Sequence, residues 1–482
     1  MDYETEPAKR IPVFSAVDTA VVGAGVSGLF AALGAAELGA RVVLIDRFGQ
    51  IGGNMGPGLF IGSRLYNEPG KTLHVVDYPG IPRRFVDRLE SMLGDDERRR
   101  CYPYYTNAIS RLASEMLKES GVDLLLSAYA GDPIMDGNRL RGAYVETKSR
   151  RGAVRASVVV DACGDASIAE RAGAPVARGS TPEECDSPNV WSGYLRPEYE
   201  NWNDGGVYFV VSGVALDRFN AFSNADVELD PDDEQWFEEH LGYYAGRWKR
   251  PTTPILRKGW ESGEFRVLRD FPGPFHICMN NWFEQIEPGL AGGRAQVHGN
   301  YDSGNHEHVS LIESELRSFV FDGVAFLRKR MPGFENACLL FMSPFLGARG
   351  GPRIEGEFVL TPQDLYEGRE FDDTVFRSYV GLRKKGSPEG CDMPYRMLLP
   401  KRVDGLLVTG RGASYKRRGH DPGVRARCNL MMLGQATGAA AAMAVQDGVE
   451  PRHLDVKKLQ RYLLAEGYPF GPESRLRKLS LV

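Results

Sequence analysis

Three glycines near the N-terminus, Gly23, Gly25 and Gly28, have the spacing Gly-x-Gly-x-x-Gly, which is typical of a phosphate-binding loop. Gly23 permits a tight turn, Gly25 lets a phosphate group approach the backbone, and Gly28 lets a helix pack closely against a strand. Ala24 and Ser27 lie in the same loop, where free N–H groups and the positive end of a helix would face a pyrophosphate.

The residues around this loop predict the elements that position it. The apolar run 18–22 predicts a buried strand, an alanine- and leucine-rich helix follows to about Leu38, and 41–45 predicts a second strand. That strand ends at Asp46, followed by Arg47, where a carboxylate accepts hydrogen bonds from ribose hydroxyls. The unit predicts a dinucleotide site, and the acid favours an unphosphorylated ribose over the 2′-phosphate of NADP.

Two further glycine turns favour FAD over NAD. They are Gly52-Gly53-Asn54, directly after the second strand, and Ala162-Cys163-Gly164-Asp165, after an apolar strand that ends at Asp161. An NAD domain needs no second glycine loop at the first of these positions, whereas the longer FAD molecule must be followed further across the protein.

These motifs resemble those of the FAD-dependent oxidoreductases that share the FAD-binding fold of fumarate reductase flavoproteins. In that family the turn after the strand reads Asp-Ala-Thr-Gly-Asp, and Cys163 stands here in place of the threonine. The resemblance implies that the cofactor is FAD and that the backbone of Ala130 meets its adenine.

The resemblance is most specific near the C-terminus. A strand over 406–409 runs into Gly410-Arg411, and the spacing to Arg425 fits the family pattern without a gap. The glycine- and alanine-rich helix that follows, from about Asn429, would aim its positive end at the O2 edge of the flavin and stabilise a reduced, anionic flavin. Gly410, Arg411, Arg425 and Asn429 are therefore expected beside the isoalloxazine ring.

The sequence thus predicts an α/β protein: a doubly wound, Rossmann-like FAD-binding domain with an inserted α+β substrate domain rich in aromatic residues. We expect the first part of the FAD-binding domain over 1–183, the substrate domain over 184–343, and the remainder of the FAD-binding domain over 344–482. All six tryptophans lie between Trp191 and Trp282. Their rings either form the core of the insert or line a substrate cavity over the flavin, and both interpretations can hold together.

Three residues are candidates for catalysis. His420 lies between the two C-terminal flavin motifs, and His298 lies where the resemblance resumes after the insert, so either could be the base that removes a proton. Arg349 could hold a substrate carboxylate or stabilise the reduced flavin. His306 and His308 follow His298 closely, but their spacing matches no zinc template, and no metal site is predicted.

Composition excludes several classes of protein. Lysine plus arginine number 59 and aspartate plus glutamate 64, so the net charge of −5 argues against binding of nucleic acid or an anionic membrane by bulk charge. The seven cysteines form no Cys-x-x-Cys pair, which disfavours iron–sulfur and disulfide-reductase chemistry and fits a reducing compartment. No signal peptide or long apolar run is evident, and we expect a cytoplasmic protein.

We therefore expect an FAD-dependent dehydrogenase or oxidase that takes a hydride from a CH–OH or CH–NH centre of a small organic molecule to flavin N5. A sugar or an aromatic substrate would suit the aromatic insert. A flavin monooxygenase or double-bond reductase, and less so an RNA-modifying flavoprotein, remain alternatives. The electron acceptor, whether oxygen, a quinone or a protein, stays open, and a homo-oligomer is compatible with the sequence.

Overall fold

A computed structural model describes the chain over residues 4–58, 79–95, 104–179, 202–241, 248–271, 275–279, 283–380, 386, 389–416 and 423–482. His420, one of the candidate bases, lies outside these ranges, and so do Trp191 and Trp282.

The described strands are β1 Val13–Val22, β2 Val42–Asp46, β3 Asp123–Leu126, β4 Tyr129–Asp136, β5 Arg139–Glu146, β6 Arg151–Asp161, β7 Val176–Ala177, β8 Trp202–Val214, β9 Leu268–Asp270, β10 Phe275–Met279, β11 Glu284–Glu287, β12 Gly289–Asn300, β13 Cys338–Met342, β14 Arg353–Ile354, β15 Thr374–Ser378, β16 Cys391–Pro394 and β17 Leu406–Val408. The described α-helices are α1 Val26–Glu37, α2 Gly80–Leu93, α3 Tyr104–Glu119, α4 Ser167–Arg171, α5 Leu216–Ser223, α6 Pro231–His240, α7 Thr253–Glu261, α8 His306–Arg330, α9 Pro362–Glu367, α10 Arg427–Asp447, α11 Val456–Ala465 and α12 Glu473–Lys478.

The first sheet is parallel where the predicted dinucleotide site lies. Its strand order is β3-β2-β1-β6, and β17 pairs in parallel with the C-terminal half of β6. The N-terminal half of β6 pairs instead with β5, antiparallel, and β4 follows β5. The predicted βαβ unit is present as β1, α1 and β2, with β1 and β2 adjacent and parallel. The carboxyl ends of the parallel strands therefore meet at one edge, where α/β sheets bind ligands.

The two faces of this sheet are covered differently, because side chains alternate along each strand. Val21, Leu44 and Val160 point to the face covered by α1, α3 and α10. Val22 and Val159 point to the opposite face, which is covered by the antiparallel strands β4 and β5 and by the short helix α4. The parallel α/β sheet is confirmed, but among the described residues its second face does not carry the full layer of helices that is usual in a doubly wound fold. A β-meander takes its place, because β6 continues beyond the parallel sheet and pairs with β5.

Helices α1 and α10 pack against each other at glycines. A Cβ atom added at Gly438 would lie 1.9 Å from the carbonyl oxygen of Ala31, and one added at Gly434 would lie 2.4 Å from that of Ser27. Helix α10 is long and apolar enough to cross a membrane, but 89% of its apolar window is buried inside the protein. Such burial is typical of a core helix that packs against backbone on several sides.

A second sheet, antiparallel, has the strand order β13-β8-β12-β10-β9, with β11 on β12. One of its faces packs on α8 through an apolar cluster that includes Phe209, Val297 and Phe319. Trp236 and Trp248 are buried in that same cluster, and the Trp248 indole N–H donates to the carbonyl oxygen of Met279 at 2.6 Å. These two tryptophans are thus core residues, in agreement with the interpretation that the tryptophan rings form the core of the insert.

We expect Gly438→Ala to lower the free energy of unfolding by about 1–3 kcal/mol or more, because the added methyl group meets the backbone of α1 and the two helices must separate. Urea denaturation followed by circular dichroism measures the change. Gly131→Ala on β4, where the added methyl group would meet its nearest described atoms only at 3.8 Å, is the matched control and should cost well under that amount. Equal denaturation midpoints for Gly438→Ala and the unsubstituted protein would contradict this account of the helix contact.

Candidate functional site

The first glycine loop lies between β1 and α1 and is built by close backbone contacts. Gly23 has a φ of +101°, in the region that favours glycine, and a Cβ atom at Gly28 would lie 1.7 Å from the carbonyl oxygen of Gly23. Gly25 differs, because its φ is −71° and a Cβ atom there would meet no described atom within 4 Å. Gly23 and Gly28 are therefore required by the fold, whereas Gly25 borders open space at the start of α1.

Asp46 closes this loop from the end of β2. One carboxylate oxygen accepts the N–H of Ala24 at 2.5 Å and the other accepts the N–H of Phe48 at 2.7 Å. Burial raises the pKa of Asp46, partly opposed by these two N–H donors. Each carboxylate oxygen has a second acceptor position, so ribose hydroxyls could still donate to Asp46. Arg47 is exposed, and its guanidinium lies over the Phe48 ring, 4.8 Å from the centroid.

The second glycine turn packs directly on the first. The N–H of Gly52, which has a φ of +116°, donates to the carbonyl oxygen of Ala24 at 2.9 Å. A Cβ atom at Gly53 would lie 2.9 Å from the Cα atom of Gly25. Asn54 follows in a single 3₁₀ turn and is half-buried. The two turns that sequence spacing separates are therefore parts of one surface.

The third turn, after β6, is held by the buried Asp161. Its carboxylate accepts the N–H groups of Cys163, Ile168 and Ala169, each at 3.0 Å, and thereby ties the turn to α4. Burial raises the pKa of Asp161, while the N–H donors favour its charged form.

Three other residues of this turn were predicted to contact the cofactor. Ala162 donates its N–H to the carbonyl oxygen of Val22 at 2.8 Å, and Gly164 has a φ of +87°. Asp165 Oδ1 is buried and accepts no hydrogen bond from the residues that the structure describes. Because a buried carboxylate oxygen without a donor is costly, a ligand hydroxyl at this position would satisfy it. Ala130, expected at the adenine, is buried on β4 opposite Val145.

The C-terminal motif joins the same edge of the sheet. Gly410 has a φ of +73°, and a Cβ atom there would lie 2.9 Å from the hydroxyl of Ser27. That hydroxyl donates to the carbonyl oxygen of Leu430 at 2.9 Å, at the start of α10. The first glycine loop, the strand exit after β17 and the start of α10 therefore meet at Ser27.

Asn429 and Arg425 lie at the same helix start. The Asn429 amide donates to the carbonyl oxygen of Gly423 at 2.8 Å and accepts from the Ser378 hydroxyl at 3.0 Å. Its buried side chain thus holds the backbone turn before α10. Arg425 is half-buried in that turn, over Gly423–Arg425.

Arg411 connects this edge with the second sheet. Its guanidinium donates to the carbonyl oxygens of Ala348 and Gly350 at 2.7 and 2.5 Å, so it fixes the segment that contains Arg349. That segment runs along the edge of β8, where the N–H of Arg349 donates to the carbonyl oxygen of Asp204 at 2.8 Å. The Arg349 guanidinium also lies 3.3 Å from the Asp204 carboxylate, which is fully buried. We name the contacts of Arg411, 348–350 and Asp204 the interdomain clamp.

His298 lies beside this clamp. It is fully buried on β12, directly opposite Asp204 of β8 on one side and His276 of β10 on the other. Directly opposite residues share a face of a sheet, and this is the face away from α8. Two of the three predicted catalytic residues, His298 and Arg349, therefore meet through Asp204.

Asp204 and His276 were missed by sequence reasoning. Each is a polar residue within a strand that is otherwise largely apolar or glycine, as in Phe275-His-Ile-Cys-Met279, and that isolated polar residue was the available signal. His306 and His308 begin α8; His306 is exposed, and His308 Nδ1 accepts the N–H of Asp302 at 3.1 Å. Within the described ranges, no group of three or more His, Cys, Asp or Glu is arranged to hold a metal ion.

The arrangement fits a long, extended dinucleotide. The remaining acceptor positions of Asp46, the open space in front of Gly25 and the buried oxygen of Asp165 follow the strand order β2-β1-β6 along the carboxyl edge of the parallel sheet. Beyond them, Gly410 and the start of α10 lead toward the interdomain clamp.

The chain is similar to several known proteins. The chain is similar over 203 residues to the thiamine thiazole synthase of Desulfosudis oleivorans, with 30% identity over 39% of this chain and 69% of that protein. Among solved structures, a geranylgeranyl bacteriochlorophyll reductase-like protein of Thermoplasma acidophilum has 13% identity and a TM-score of 0.41, covering 97% of this chain and 86% of its own. The myxobacterial chondrochloren halogenase has 12% identity and a TM-score of 0.39, covering 93% of this chain and 78% of its own.

The model of the FAD-dependent oxidoreductase family matches residues 18–463, nearly the whole chain. The expected family and cofactor are thereby confirmed. The chain belongs to the FAD-dependent oxidoreductases and is an enzyme whose cofactor is FAD.

Proposed function

We propose that FAD lies along the carboxyl edge of the parallel sheet and is held by the glycine turns described above. The pyrophosphate would lie before Gly25 at the start of α1, where N–H groups and the helix dipole favour negative charge. Asp46 would accept hydrogen bonds from the adenosine ribose hydroxyls. Asp165 would accept a hydrogen bond from another hydroxyl of the cofactor, further along the edge. The remaining contacts of this proposal come from Gly23, Ala24, Ser27, Gly28, Arg47, Gly52, Gly53, Asn54, Ala130, Ala162, Gly164, Gly410, Arg411, Arg425 and Asn429.

We further propose that the enzyme is a dehydrogenase or oxidase of a small organic molecule, bound between the flavin and the polar face of the second sheet. Bound FAD supplies a hydride acceptor at N5. The protein must then remove a proton from the O–H or N–H of the substrate. The observation that carries this proposal is the meeting of His298, Asp204 and Arg349 where the two sheets join.

His298 is suited to the role of base because of its neighbours. Asp204 lies directly opposite His298 on the neighbouring strand, and its negative charge stabilises the imidazolium that forms when the substrate proton is taken. The Arg349 guanidinium offsets the charge of Asp204 at 3.3 Å. His276, on the other side, gives the ring a second polar neighbour.

Arg349 holds Asp204, and part of its side chain is exposed. It can therefore also attract an anionic group of the substrate, such as a carboxylate. A small-molecule substrate and a cytoplasmic setting complete the proposal. Cys163, Cys338, Cys391 and Cys428 form no disulfide, and this supports a reducing compartment.

We expect the purified protein to carry FAD and Gly25→Val to be largely apoprotein, because the branched side chain would occupy the space of the pyrophosphate. Heat release followed by chromatography identifies the flavin, and absorbance at 450 nm measures its occupancy. Gly25→Val should fold like the apoprotein, since its Cβ meets no described atom, whereas Gly28→Val should not fold. A yellow Gly25→Val protein with full FAD occupancy, or release of FMN alone, would contradict the placement.

We expect His298→Gln to bind FAD normally and to slow flavin reduction by roughly 10²–10⁴-fold, the usual contribution of a general base. A panel of sugars, amines and hydroxy acids, screened by anaerobic bleaching, first identifies a reducing substrate. The rate is then measured by stopped flow across pH, where the variant should lose the acidic limb of the profile.

His306→Gln, at an exposed histidine outside the site, is the matched control for this measurement and should keep the original rate. An unchanged rate in His298→Gln together with a slow His420→Ala would assign the base to His420. Incorporation of ¹⁸O from O₂ into the product would instead indicate a monooxygenase.

A further inference from the structure

Four titratable side chains form one row across the second sheet. Asp270 of β9 lies opposite His276 of β10, His276 lies opposite His298 of β12, and His298 lies opposite Asp204 of β8. Each pair is in direct register on neighbouring strands, so the four side chains project from the same face of the sheet. We name these residues the acid–histidine row.

The row passes from the interior of the protein to its surface. Asp204, His298 and His276 are each fully buried, whereas Asp270 is exposed. The two imidazole rings have centroids 5.6 Å apart and planes inclined by 30°. Because a ring nitrogen lies about 1 Å from its centroid, a separation of this size is spanned by direct contact of the nitrogens or by a single water molecule. The other two pairs, Asp270 with His276 and His298 with Asp204, are also directly opposite each other, and Cβ atoms at such positions lie about 5 Å apart.

The surroundings of the row are polar on the interior side. Arg349, from the segment beside β8, pairs with Asp204. The next positions along the strands hold Gln296 and, beyond it, Arg294, whose guanidinium lies over the Tyr208 ring. Tyr208 in turn donates to Glu284 at 3.2 Å. Arg349 and Arg294 are thus the fixed cations near the histidines, and both carry interactions with groups other than the two imidazoles.

We propose that the acid–histidine row is a proton relay between the active site and solvent. This inference rests on the proposed function, in which His298 accepts the proton of the substrate. A proton enters one ring nitrogen of His298 as the O–H or N–H bond of the substrate breaks, and the proton on its other nitrogen passes to His276. His276 likewise passes a proton to the Asp270 carboxylate, which releases it to water. Both histidines regain their starting charge. The electron pair of the O–H or N–H bond forms the C=O or C=N bond of the product, and the electron pair of the C–H bond leaves with the hydride.

A buried base needs such a path. The protonated imidazole would otherwise remain as a buried charge, whose free energy is high. In the described chain, the row is the sequence of titratable groups that leads from His298 to an exposed carboxylate. The same four groups form no metal site. A pair of histidines with a purely structural role would need no acids in register on both outer strands, whereas this row has Asp204 and Asp270 there.

Nuclear magnetic resonance of the FAD-loaded protein with ¹⁵N-labelled histidine tests the relay without any substrate. Long-range ¹H–¹⁵N spectra report the tautomer and titration of each imidazole, and His→Gln variants assign the signals. His276 and His298 should titrate as a coupled pair in two steps. Asp270→Asn should lower the pKa of His276 by on the order of one unit, because a neighbouring carboxylate favours the charged imidazole.

Asp322→Asn is the matched control, since Asp322 is also an exposed acid beside β9 but pairs with Arg269 instead of a histidine of the row. It should leave both titrations unchanged. Because Asp270 is exposed, its replacement leaves the fold intact even where His276→Gln does not.

Independent, single-step titrations of the two histidines, or equal effects of Asp270→Asn and Asp322→Asn, would overturn the relay. If those results accompany a slow His298→Gln enzyme, the relay fails and the proposed function stands. Coupled titrations with an unimpaired His298→Gln enzyme would instead support the row and overturn the proposed function.

Discussion

Backbone atoms approach each other so closely at the start of α1 that the rest of the structure depends on this contact. The Cβ atom that any other residue would bring at Gly28 has no room beside the carbonyl oxygen of Gly23. The contact fixes the direction in which α1 leaves β1. Helix α10 then packs on α1 at similarly short range, through Gly434 and Gly438. Close packing of this kind excludes alternative arrangements, because neither helix can shift without breaking backbone contacts.

Single hydrogen bonds bring segments that are distant in sequence together at the carboxyl edge of the parallel sheet. Ser27 links the first glycine loop to the start of α10, and the Gly52 N–H links the second loop to the first. Asp161 likewise joins the turn after β6 to α4, because its carboxylate accepts hydrogen bonds from three N–H groups. Short polar side chains thus satisfy the backbone at the ends of strands, where a sheet leaves its N–H and C=O groups unpaired.

The interdomain clamp connects the two sheets and so fixes the position of the polar face of the second sheet. Arg411 leaves the first sheet and holds two carbonyl groups of the segment that carries Arg349. Arg349 then pairs with Asp204, a fully buried acid of the second sheet. A buried charge is tolerated only with a close partner, so removal of either residue would leave the other exposed to a large desolvation cost. The clamp therefore couples the strand exit at Arg411 with the position of the second sheet and with the electrostatic environment of His298.

The sequence by itself determined the unit of β1, α1 and β2 with its glycine loop. The glycine spacing at Gly23–Gly28 and the acid at Asp46 depend on local geometry, since a βαβ unit folds the same way wherever its glycines allow it. The residues of β6 could not show that its N-terminal half pairs with the antiparallel strand β5, because a strand with only parallel neighbours and a strand with one antiparallel neighbour have the same apolar composition. The tertiary structure alone placed His298 beside Asp204 and His276. Their contacts join strands far apart along the chain, and a pairing register between such strands is set by the packing of both sheet faces and not by the residues near each strand in sequence.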